Sequence, residues 1–541
     1  MIAPTTIPRS WLAFLCCCLL AAPFLSVTFP PITDLPQQSA QIRLFLETLH
    51  DPSGSPYKIQ WFTPYSLSYL MLGVSWALFG PQSAGRMAML AIVLLWAVSV
   101  HITAAKRERS AAAAALSCLF VLNHTVYWGF YSFVIGLPAF LVWFSLSTED
   151  SLEGFSARDA FLWLSCAVLL YLCHVLWFIA GMAWLVAQGI VFRKPVKKTL
   201  IRLAYVAPLV VVVWIWYPSL SGSSMATPPL WASNPISRLS FAWLSDAALG
   251  GIKGPAVPVF FAVALLWVIV SIVQHRKSLY QFSKMTTFGL SNAESAEGSP
   301  RRCRETMDFR HSRERGNPDW TPDQVRGDGL IDKELLLAAG LFFASALFLP
   351  DKYMNTIRFS QRWMPPAMIM LLLAVPAPVV RPILRQVAAL VIVAAFCFVT
   401  TTTWVRFERD ELSGLKEALA ALPASPKVLG LDLVHKSNLI KGFPFIQVFA
   451  YCQVLKGGTL NFSFAEFSPC LVVFRDNSPK PWTHGLEWFP KLVKESDLHY
   501  FDYALINGTN QIHAATRARS PLVPVTTTGL WRLYRIKTQQ K

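Results

Sequence analysis

Charged residues are scarce in this chain, and acids are the scarcer kind. Only 15% of its 541 residues are charged, 54% are hydrophobic, and 31 aspartates and glutamates face 48 lysines and arginines. Soluble domains carry about 25% charged residues, so this composition excludes an ordinary soluble protein. Few acids are therefore available for chemistry outside the apolar segments.

Several catalytic motifs are also missing. The sequence has no His, Cys, Asp and Glu residues at metal-ligand spacing, no glycine-rich phosphate loop and no nucleophile elbow. These absences disfavour P-loop nucleotide enzymes and serine hydrolases. We predict no metal ligands and no cofactor.

Long apolar runs are present instead. Runs of about 16–20 apolar residues predict membrane-spanning helices, and we expect about eleven of them in a mainly α, polytopic bundle. The first run ends at the bulky Phe29-Pro30-Pro31, which disfavours signal cleavage. The runs lie at 11–29, 63–80, 86–104, 111–128, 131–147, 160–192, 203–217, 255–274, 334–349, 363–380 and 387–404.

The net charge of +17 is explained by basic cytoplasmic loops, so we expect no nucleic-acid partner. Basic clusters at 193–202, 275–277 and 381–385 place the amino terminus in the cytoplasm and the tail outside. The cluster at 106–109 breaks the rule, because helices at 63–80 and 86–104 would leave it outside. The run 160–192 fits one kinked crossing or a hairpin near His174, and we adopt one crossing because it gives an odd total.

The chain divides into a transmembrane domain at 1–404 and a soluble domain at 405–541. The polar, basic segment 278–333 predicts a disordered cytoplasmic insert, since it cannot bury enough apolar surface to offset chain entropy. Alternating helices and strands in the tail predict a small α/β periplasmic domain. Its cysteines, Cys452 and Cys470, form a disulfide or remain free; spacing leaves both open.

One acid, Asp34, follows the first apolar run directly. Pro30, Pro31 and Pro36 stiffen its loop, and the stretch 37–49 reads as an amphipathic helix lying in the membrane interface. Such a loop would hold a carboxylate at a fixed position, as a general base requires. An ordinary solvated loop acid is the alternative.

Two arginines, Arg358 and Arg362, lie in the predicted outside loop 350–363, against the tendency of arginines to stay inside. Guanidinium groups suit bidentate phosphate binding. Alternatively, the two anchor the next helix by snorkelling or pair with Asp351. Tyr353, in the same loop, is a further candidate substrate contact.

His174 is the ionisable side chain that appears deepest in an apolar run, where such groups are costly and often functional. It is a candidate substrate contact, or it only bonds a neighbouring helix. Gln38, on the polar side of the interfacial helix, is another candidate. The aromatic stretch 127–131 reads as an interfacial belt, with pocket lining as the alternative.

These features together resemble the glycosyltransferase-C superfamily, and more closely a group of bacterial membrane proteins that share three motifs. The motifs are Pro30-Pro31-x-x-Asp34-Leu35-Pro36-Gln37, Trp61-Phe62-Thr63-Pro64-Tyr65, and Tyr127-Trp128-Gly129-Phe130 with Gly136-Leu137-Pro138. The resemblance covers most of 11–404. It implies that Asp34 deprotonates or orients an acceptor hydroxyl, and that Arg358 or Arg362 steadies a lipid phosphate as leaving group.

This sequence departs from that superfamily at one place. Many members have a paired acid in the first loop, whereas Leu35 follows Asp34 here, and the loop's other acids are Glu47 and Asp51. A metal role is therefore not expected.

The leading hypothesis is a membrane glycosyltransferase that uses a polyprenyl-phosphate sugar and modifies a glycan, lipid or protein acceptor outside the cell membrane. A transporter or flippase of a lipid-linked substrate is one rival. A non-catalytic envelope assembly protein, whose tail binds a partner, is the other.

Overall fold

The computed structural model describes residues 6–61, 63–148, 156–221, 227–291, 331–354, 356–476, 478–519 and 521–537. Helices dominate this part of the chain. Its α-helices are α1 Arg9–Ser26, α2 Leu35–His50, α3 Ser66–Lys106, α4 Ala111–Ser117, α5 His124–Trp128, α6 Tyr131–Val134, α7 Gly136–Thr148, α8 Ala157–Cys173, α9 Val175–Val191, α10 Val196–Ser221, α11 Phe241–Leu249, α12 Ala256–Ser291, α13 Lys333–Phe348, α14 Met364–Ala374, α15 Pro382–Arg406, α16 Leu415–Ala420, α17 Tyr451–Lys456, α18 Glu495–Leu498 and α19 Asn510–Arg519.

Seven helical spans within the described ranges are long and apolar enough to cross a membrane, and Val175–Val191 is a shorter apolar helix. The expected mainly α, polytopic membrane fold is therefore confirmed. The first and last spans run parallel to each other. Ile7 and Gln386 bond at one end, and the Glu408 carboxylate accepts from the Thr28 amide at the other, so the chain begins and its tail emerges at opposite ends of the bundle.

The helix α3 reverses direction near its middle, at Gly80 (φ 74°) and Pro81. The Ser75 hydroxyl donates to the Ala84 carbonyl at 2.7 Å, although nine residues of straight α-helix would separate them by about 13 Å. Glycine adopts this positive φ without steric cost. The apolar segment 63–80 is therefore one arm of a helical hairpin.

The first arm of α3 stays at the end of the bundle that carries Asp34. The side chain of Tyr69 lies beside that of Cys470 in the tail, and Gly85, just past the turn, packs against Ser39 of α2. The expectation that 63–80 crosses the membrane is thus wrong. Tyr69 and Leu72 are buried, whereas Leu70, Val74, Leu78 and Phe79 are exposed. The arm therefore buries one face and leaves an apolar face outward, which hydropathy alone does not distinguish from a crossing.

This correction removes the misfit in the charge pattern. Arg107 pairs with Asp332 and Glu334 at 2.9 and 2.7 Å, and Lys194, in a predicted cytoplasmic loop, lies 4.0 Å from Glu334. The basic cluster at 106–109 therefore shares one end of the bundle with the other basic loops, as the positive-inside rule requires.

The segment 160–192 is a hairpin and not one crossing. His174 is extended (φ −173°) between α8 and α9, and a Cβ on Gly181 would lie 2.8 Å from Leu170 Cδ1, so the two helices fold back on each other. The hairpin adds one passage along the bundle where the first arm of α3 removes one. The two errors offset each other, which explains why the expected odd parity survives.

The insert expected at 278–333 begins and ends in helix. The helix α12 continues to Ser291, and α13 starts at Lys333 with Asp332 as its N-cap, whose side chain accepts from the Glu334 amide. The rest of that prediction, 292–330, lies outside the described residues.

A small mixed sheet forms the tail, as expected. Its strand order is β5-β4-β7-β9-β8, with β4 parallel to β5 and β7, and β9 antiparallel to β7 and β8. The strands of the protein are β1 Tyr57–Ile59, β2 Lys352–Tyr353, β3 Thr356–Ile357, β4 Lys427–Asp432, β5 Thr459–Leu460, β6 Val472–Phe474, β7 Tyr503–Asn507, β8 Leu522–Pro524 and β9 Trp531–Ile536.

The tail packs on the loop that follows α1. The strand β1 of that loop pairs antiparallel with β6 of the tail. Buried Gln37 on α2 donates to Gln447 at 3.0 Å and accepts from the Phe464 amide at 3.1 Å, and Gln41 accepts from the Val472 amide at 2.8 Å. One hydrophobic core runs through both expected domains, 1–404 and 405–541.

Cys452 and Cys470 are both free and buried, so the disulfide alternative is wrong. Cys452 lies inside α17, whereas the Cys470 side chain is hydrogen-bonded to Tyr69. The two thiols are held by different neighbours, which sequence spacing does not reveal.

Replacing Gln37 by alanine should destabilise the protein. The change leaves the Gln447 side chain and the Phe464 amide without a buried partner, which costs about 1–3 kcal/mol for each group. Thermal unfolding in detergent should show a lower midpoint for Gln37→Ala. Gln38→Ala, at the neighbouring and more exposed position, is the control and should unfold near the wild-type temperature; equal midpoints for both variants would contradict the packing described.

Candidate functional site

Asp34 occupies the turn between α1 and α2, where it is the N-cap residue of α2 without bonding the helix through its side chain. Its carboxylate has no hydrogen bond to any residue that the structure describes, and it is partly exposed, whereas Thr33, Leu35 and Gln37 around it are buried. A carboxylate without partners in a packed setting is costly to maintain. This residue therefore has capacity for an external partner.

The backbone of Asp34 is held by the aromatic motif that starts at Tyr127. The Thr33 amide donates to the Tyr127 carbonyl at 2.8 Å, and the Asp34 amide to the Trp128 carbonyl at 3.0 Å. Gly129 (φ 79°) follows, and a Cβ there would come within 3.1 Å of the Asp34 nitrogen. Two motifs almost a hundred residues apart in sequence thus form one backbone contact, which positions the carboxylate.

Arg362 lies beside this turn and is almost completely buried, with 4% of its surface exposed. Its guanidinium carbon is 3.7 Å from the centre of the Phe130 ring, a cation–π contact. One amino group donates to the Ile357 carbonyl at 3.0 Å, and the buried Nε has no protein partner in the described chain. This arginine is rigidly placed and keeps a free donor.

Arg358 lies against the other ring of the same aromatic pair. Its guanidinium is 6.0 Å from the Trp128 ring, and that ring stacks on Phe130 with centroids 6.0 Å apart. Arg358 also donates to Gln361 at 2.8 Å and lies 3.6 Å from the Asp246 carboxylate. The two predicted phosphate ligands are therefore brought together across two stacked rings, and the aromatic stretch lines the site.

Asp351, suggested from sequence as a partner of these arginines, is not their ion-pair partner. It pairs with Arg238 at 2.8 Å. Asp246 takes that role for Arg358 and is bound at 2.5 Å by Lys441 of the tail. Sequence reasoning missed Asp246 and Lys441, because nothing local links residues 195 positions apart.

The electrostatics of the site are dominated by burial. Burial raises the pKa of Asp34 to about 7, and the nearby positive charge of Arg362 only partly opposes the shift. Burial likewise lowers the pKa of Arg362 to about 9, against the opposing effect of Tyr65 and Asp34. Asp34 is therefore poised between its two protonation states near neutral pH.

His174 joins the site at the turn between α8 and α9. Its ring lies 4.9 Å from that of Tyr65 and 5.8 Å from that of Phe133. Its Nδ1 accepts from the Leu176 amide at 3.1 Å, so the proton of the neutral ring sits on Nε2. His174 lies at a helix end, at the hairpin position that the sequence left open, and burial together with Arg362 lowers its pKa.

Gln38 and Tyr353 have different positions. The backbone amide of Gln38 donates to the backbone carbonyl of Asp34 at 2.9 Å. The side chain of Gln38 is partly exposed and starts one helical turn beyond Asp34. Tyr353 sits in the β2–β3 hairpin, where its hydroxyl is 3.2 Å from that of Tyr217 and its ring packs on Phe359. The described contacts do not bring Tyr353 to Asp34. Tyr65, part of a quoted motif, is a further site residue, beside Asp246 and Lys441, that sequence did not select.

The other acids of the first loop are engaged elsewhere. Glu47 pairs with Arg43 one turn away on α2 at 2.5 Å, and Asp51 accepts from the Gly54 amide at 2.9 Å. Neither stands beside Asp34 as a second acid would.

Comparison with solved structures places the fold. The chain is similar to the crystal structure of ArnT from Cupriavidus metallidurans in the apo state, with a TM-score of 0.50, 11% sequence identity and 97% of each chain covered. No protein-family profile matches the sequence, and no curated protein matches it significantly. This similarity confirms the expected fold of a multi-pass membrane protein with a small tail sheet.

The raised pKa of Asp34 gives a prediction for stability. Between pH 3.8, the ordinary pKa of an aspartate, and about pH 7, the folded chain binds the Asp34 proton more tightly than the unfolded chain does. The free energy of unfolding therefore falls as pH rises through that window. Asp34→Asn removes this loss of stability. Its unfolding midpoint in detergent at pH 8 should equal or exceed that of the wild type.

Asp246→Asn is the matched control. Although burial raises the pKa of Asp246, the hydrogen bond and charge of Lys441 and the charge of Arg358 lower it overall, so ionised Asp246 stabilises the fold above its unfolded pKa. Its replacement should lower the midpoint at pH 8. A destabilised Asp34→Asn variant would contradict the assignment of Asp34 as an unpartnered acid.

Proposed function

We propose that this protein is a membrane glycosyltransferase that transfers a sugar from a polyprenyl-phosphate carrier to an acceptor on the periplasmic face, with Asp34 as the general base. The observation that carries the proposal is an unbonded carboxylate, with a pKa of about 7, near a buried arginine whose Nε is free. A base works best when its pKa lies near the operating pH. The ArnT-like fold supports the same class of reaction.

The orientation follows from charge. The basic loops gather at the end of the bundle opposite Asp34, and such loops stay in the cytoplasm. The amino terminus is then cytoplasmic, while Asp34 and the tail face the periplasm of a bacterial inner membrane. A lipid-linked sugar would reach the site from the outer leaflet.

The chemistry assigned to the residues is a single displacement. The Asp34 carboxylate accepts the proton of the acceptor hydroxyl as that oxygen bonds the anomeric carbon of the sugar. The bond from this carbon to the phosphate oxygen breaks, and its electron pair leaves with the lipid phosphate. Arg362 and Arg358 stabilise the negative charge of the leaving group, and His174 offers a neutral Nε2–H donor.

Asp34 and Arg362 attract each other without forming an ion pair among the described contacts. An ion pair would neutralise the base and fill the phosphate position. Separation keeps the base available and leaves the guanidinium for a ligand. Burial strengthens the interaction of Asp34 with an acceptor hydroxyl and that of Arg362 with a phosphate, because the charges act through a medium of low dielectric constant.

The transporter alternative has lost its main support. Substrate sites of such proteins lie near the bilayer midplane, and His174, the residue suggested for that depth, is at a helix end. An assembly protein would not need an unpartnered acid beside a free guanidinium donor.

Asp34→Asn should lower sugar transfer by about 10²–10⁴-fold, because a positioned base contributes that much. The full chain is reconstituted in liposomes with synthetic polyprenyl-phosphate hexoses and pentoses and an extract of envelope lipids, and release of free polyprenyl phosphate is followed by mass spectrometry. The wild-type rate should rise with pH and level off above an apparent pKa of about 7.

Glu47→Gln is the control, since Glu47 is an acid of the same loop that is paired with Arg43. It should transfer at the wild-type rate. Activity near wild type in Asp34→Asn would overturn the proposed mechanism.

Arg362→Lys should weaken binding of polyprenyl phosphate itself, by about tenfold or more, because lysine lacks the planar fork that binds phosphate bidentately and stacks on Phe130. Native mass spectrometry or fluorescence titration with polyprenyl phosphate measures the affinity. Arg43→Lys, an exchange on α2 at the same end, should leave affinity unchanged, and Asp34→Asn should still bind. An unaltered affinity in Arg362→Lys removes this residue from the phosphate site.

A further inference from the structure

A second cluster of reactive side chains lies inside the bundle, away from Asp34. It consists of Cys16 on α1, His101 on the second arm of α3 and Cys118 directly after α4. One potential ligand atom from each residue lies within 4.8 Å of the others, and the Cys118 sulfur is 4.0 Å from His101 Nε2. All three side chains are buried.

Polar groups of this kind are unusual in such surroundings. Ionisable side chains within membrane helices are costly and commonly functional. Here three separate segments of the chain each place one ionisable side chain near a common point. The contacts they make are weak: Cys118 donates to the Ala114 carbonyl at 3.6 Å and lies at the limit of bonding distance from His101. The proton chemistry proposed at Asp34 does not use them.

We propose that Cys16, His101 and Cys118 bind a zinc ion that ties the first three membrane passages together. Thiolate sulfur and imidazole nitrogen are the preferred zinc ligands. Two thiolates and a neutral imidazole balance the charge of a divalent cation, so the site with zinc bound has no net charge in the apolar interior. A monovalent soft ion such as Cu⁺ would leave a net negative charge.

The distances suit this assignment after a small movement. Zinc lies about 2.3 Å from sulfur and 2.0–2.1 Å from nitrogen in tetrahedral sites, which places neighbouring ligand atoms about 3.3–3.8 Å apart. The ligand atoms here, within 4.8 Å of one another, need to approach by about 1 Å. Rotation of the side chains on a fixed backbone supplies that.

The sequence conceals the site because its ligands come from three distant segments. None of the usual short spacings of zinc sites links residues 16, 101 and 118. The two grounds for expecting no metal, ligand spacing and the unpaired acid of the first loop, therefore do not bear on this cluster. Its position also separates it from the site at Asp34. Cys16 lies in the first half of α1, which starts at the basic end, whereas Asp34 follows the far end of that helix.

Zinc content of the purified full chain tests the proposal. After purification in detergent with added zinc and removal of the excess, elemental mass spectrometry should find about one zinc per chain, as a single site requires. Cys118→Ser and His101→Ala should fall to background. Cys17→Ser, the neighbouring cysteine that lies outside the cluster, should retain the wild-type content.

Two further measurements separate a built site from adventitious binding. Cobalt exchanged for zinc should give a thiolate-to-metal charge-transfer absorption in the wild type and in Cys17→Ser, and none in Cys118→Ser. A ligand that binds only the folded state raises the unfolding midpoint, so chelator treatment should lower the midpoint of the wild type, and zinc should restore it. His101→Ala, if it folds, should respond to neither.

Three results would overturn the proposal: wild-type protein that holds no zinc after loading, equal zinc content in all variants, or a Cys16–Cys118 disulfide in protein purified without oxidant. Preference for Cu⁺ with no retained zinc would also exclude it. None of these measurements depends on transfer activity, so the zinc proposal and the transferase proposal are tested independently.

Discussion

The arrangement of the site depends on a pair of backbone hydrogen bonds. The amides of Thr33 and Asp34 donate to the carbonyls of Tyr127 and Trp128, and this contact links the turn after the first helix to the end of a later membrane passage. Side chains that form hydrogen bonds elsewhere in the protein exchange water for protein partners, and the net gain in folding free energy is small. These two bonds instead set the position of a carboxylate relative to Phe130, and through that ring relative to Arg362.

Two aromatic residues connect the turn that holds Asp34 to the two arginines. Trp128 and Phe130 stack on each other and each faces a guanidinium, so two arginines share one apolar support without coming into contact with each other. Burial of a positive charge is tolerable there because the ring faces are negative. The remaining cost lowers the pKa of Arg362 to about 9, which still leaves it charged at neutral pH.

Much of this could be predicted from sequence. Asp34 and Arg362 were selected because an acid and an arginine stood on the outer side of a helix count, and the motifs around Asp34 and Tyr127 do form one unit. The turn at Gly80 was not predicted, and the one near His174 was left as one of two readings, because hydropathy records that a segment is apolar and not where the chain reverses. Gly80 and His174 each reverse the chain within an apolar run, and the pairing of Asp246 with Lys441 joins parts of the chain that no local pattern connects.

The tail segment near 447–472 is made long after α2, yet α2 buries Gln37 and Gln41 against it. During synthesis, the helix that follows Asp34 therefore waits, with polar groups unsatisfied, until that segment has been made and has folded. The turn that carries Asp34 is thus made early and fixed late, so the geometry of the candidate site is acquired only when the tail has docked.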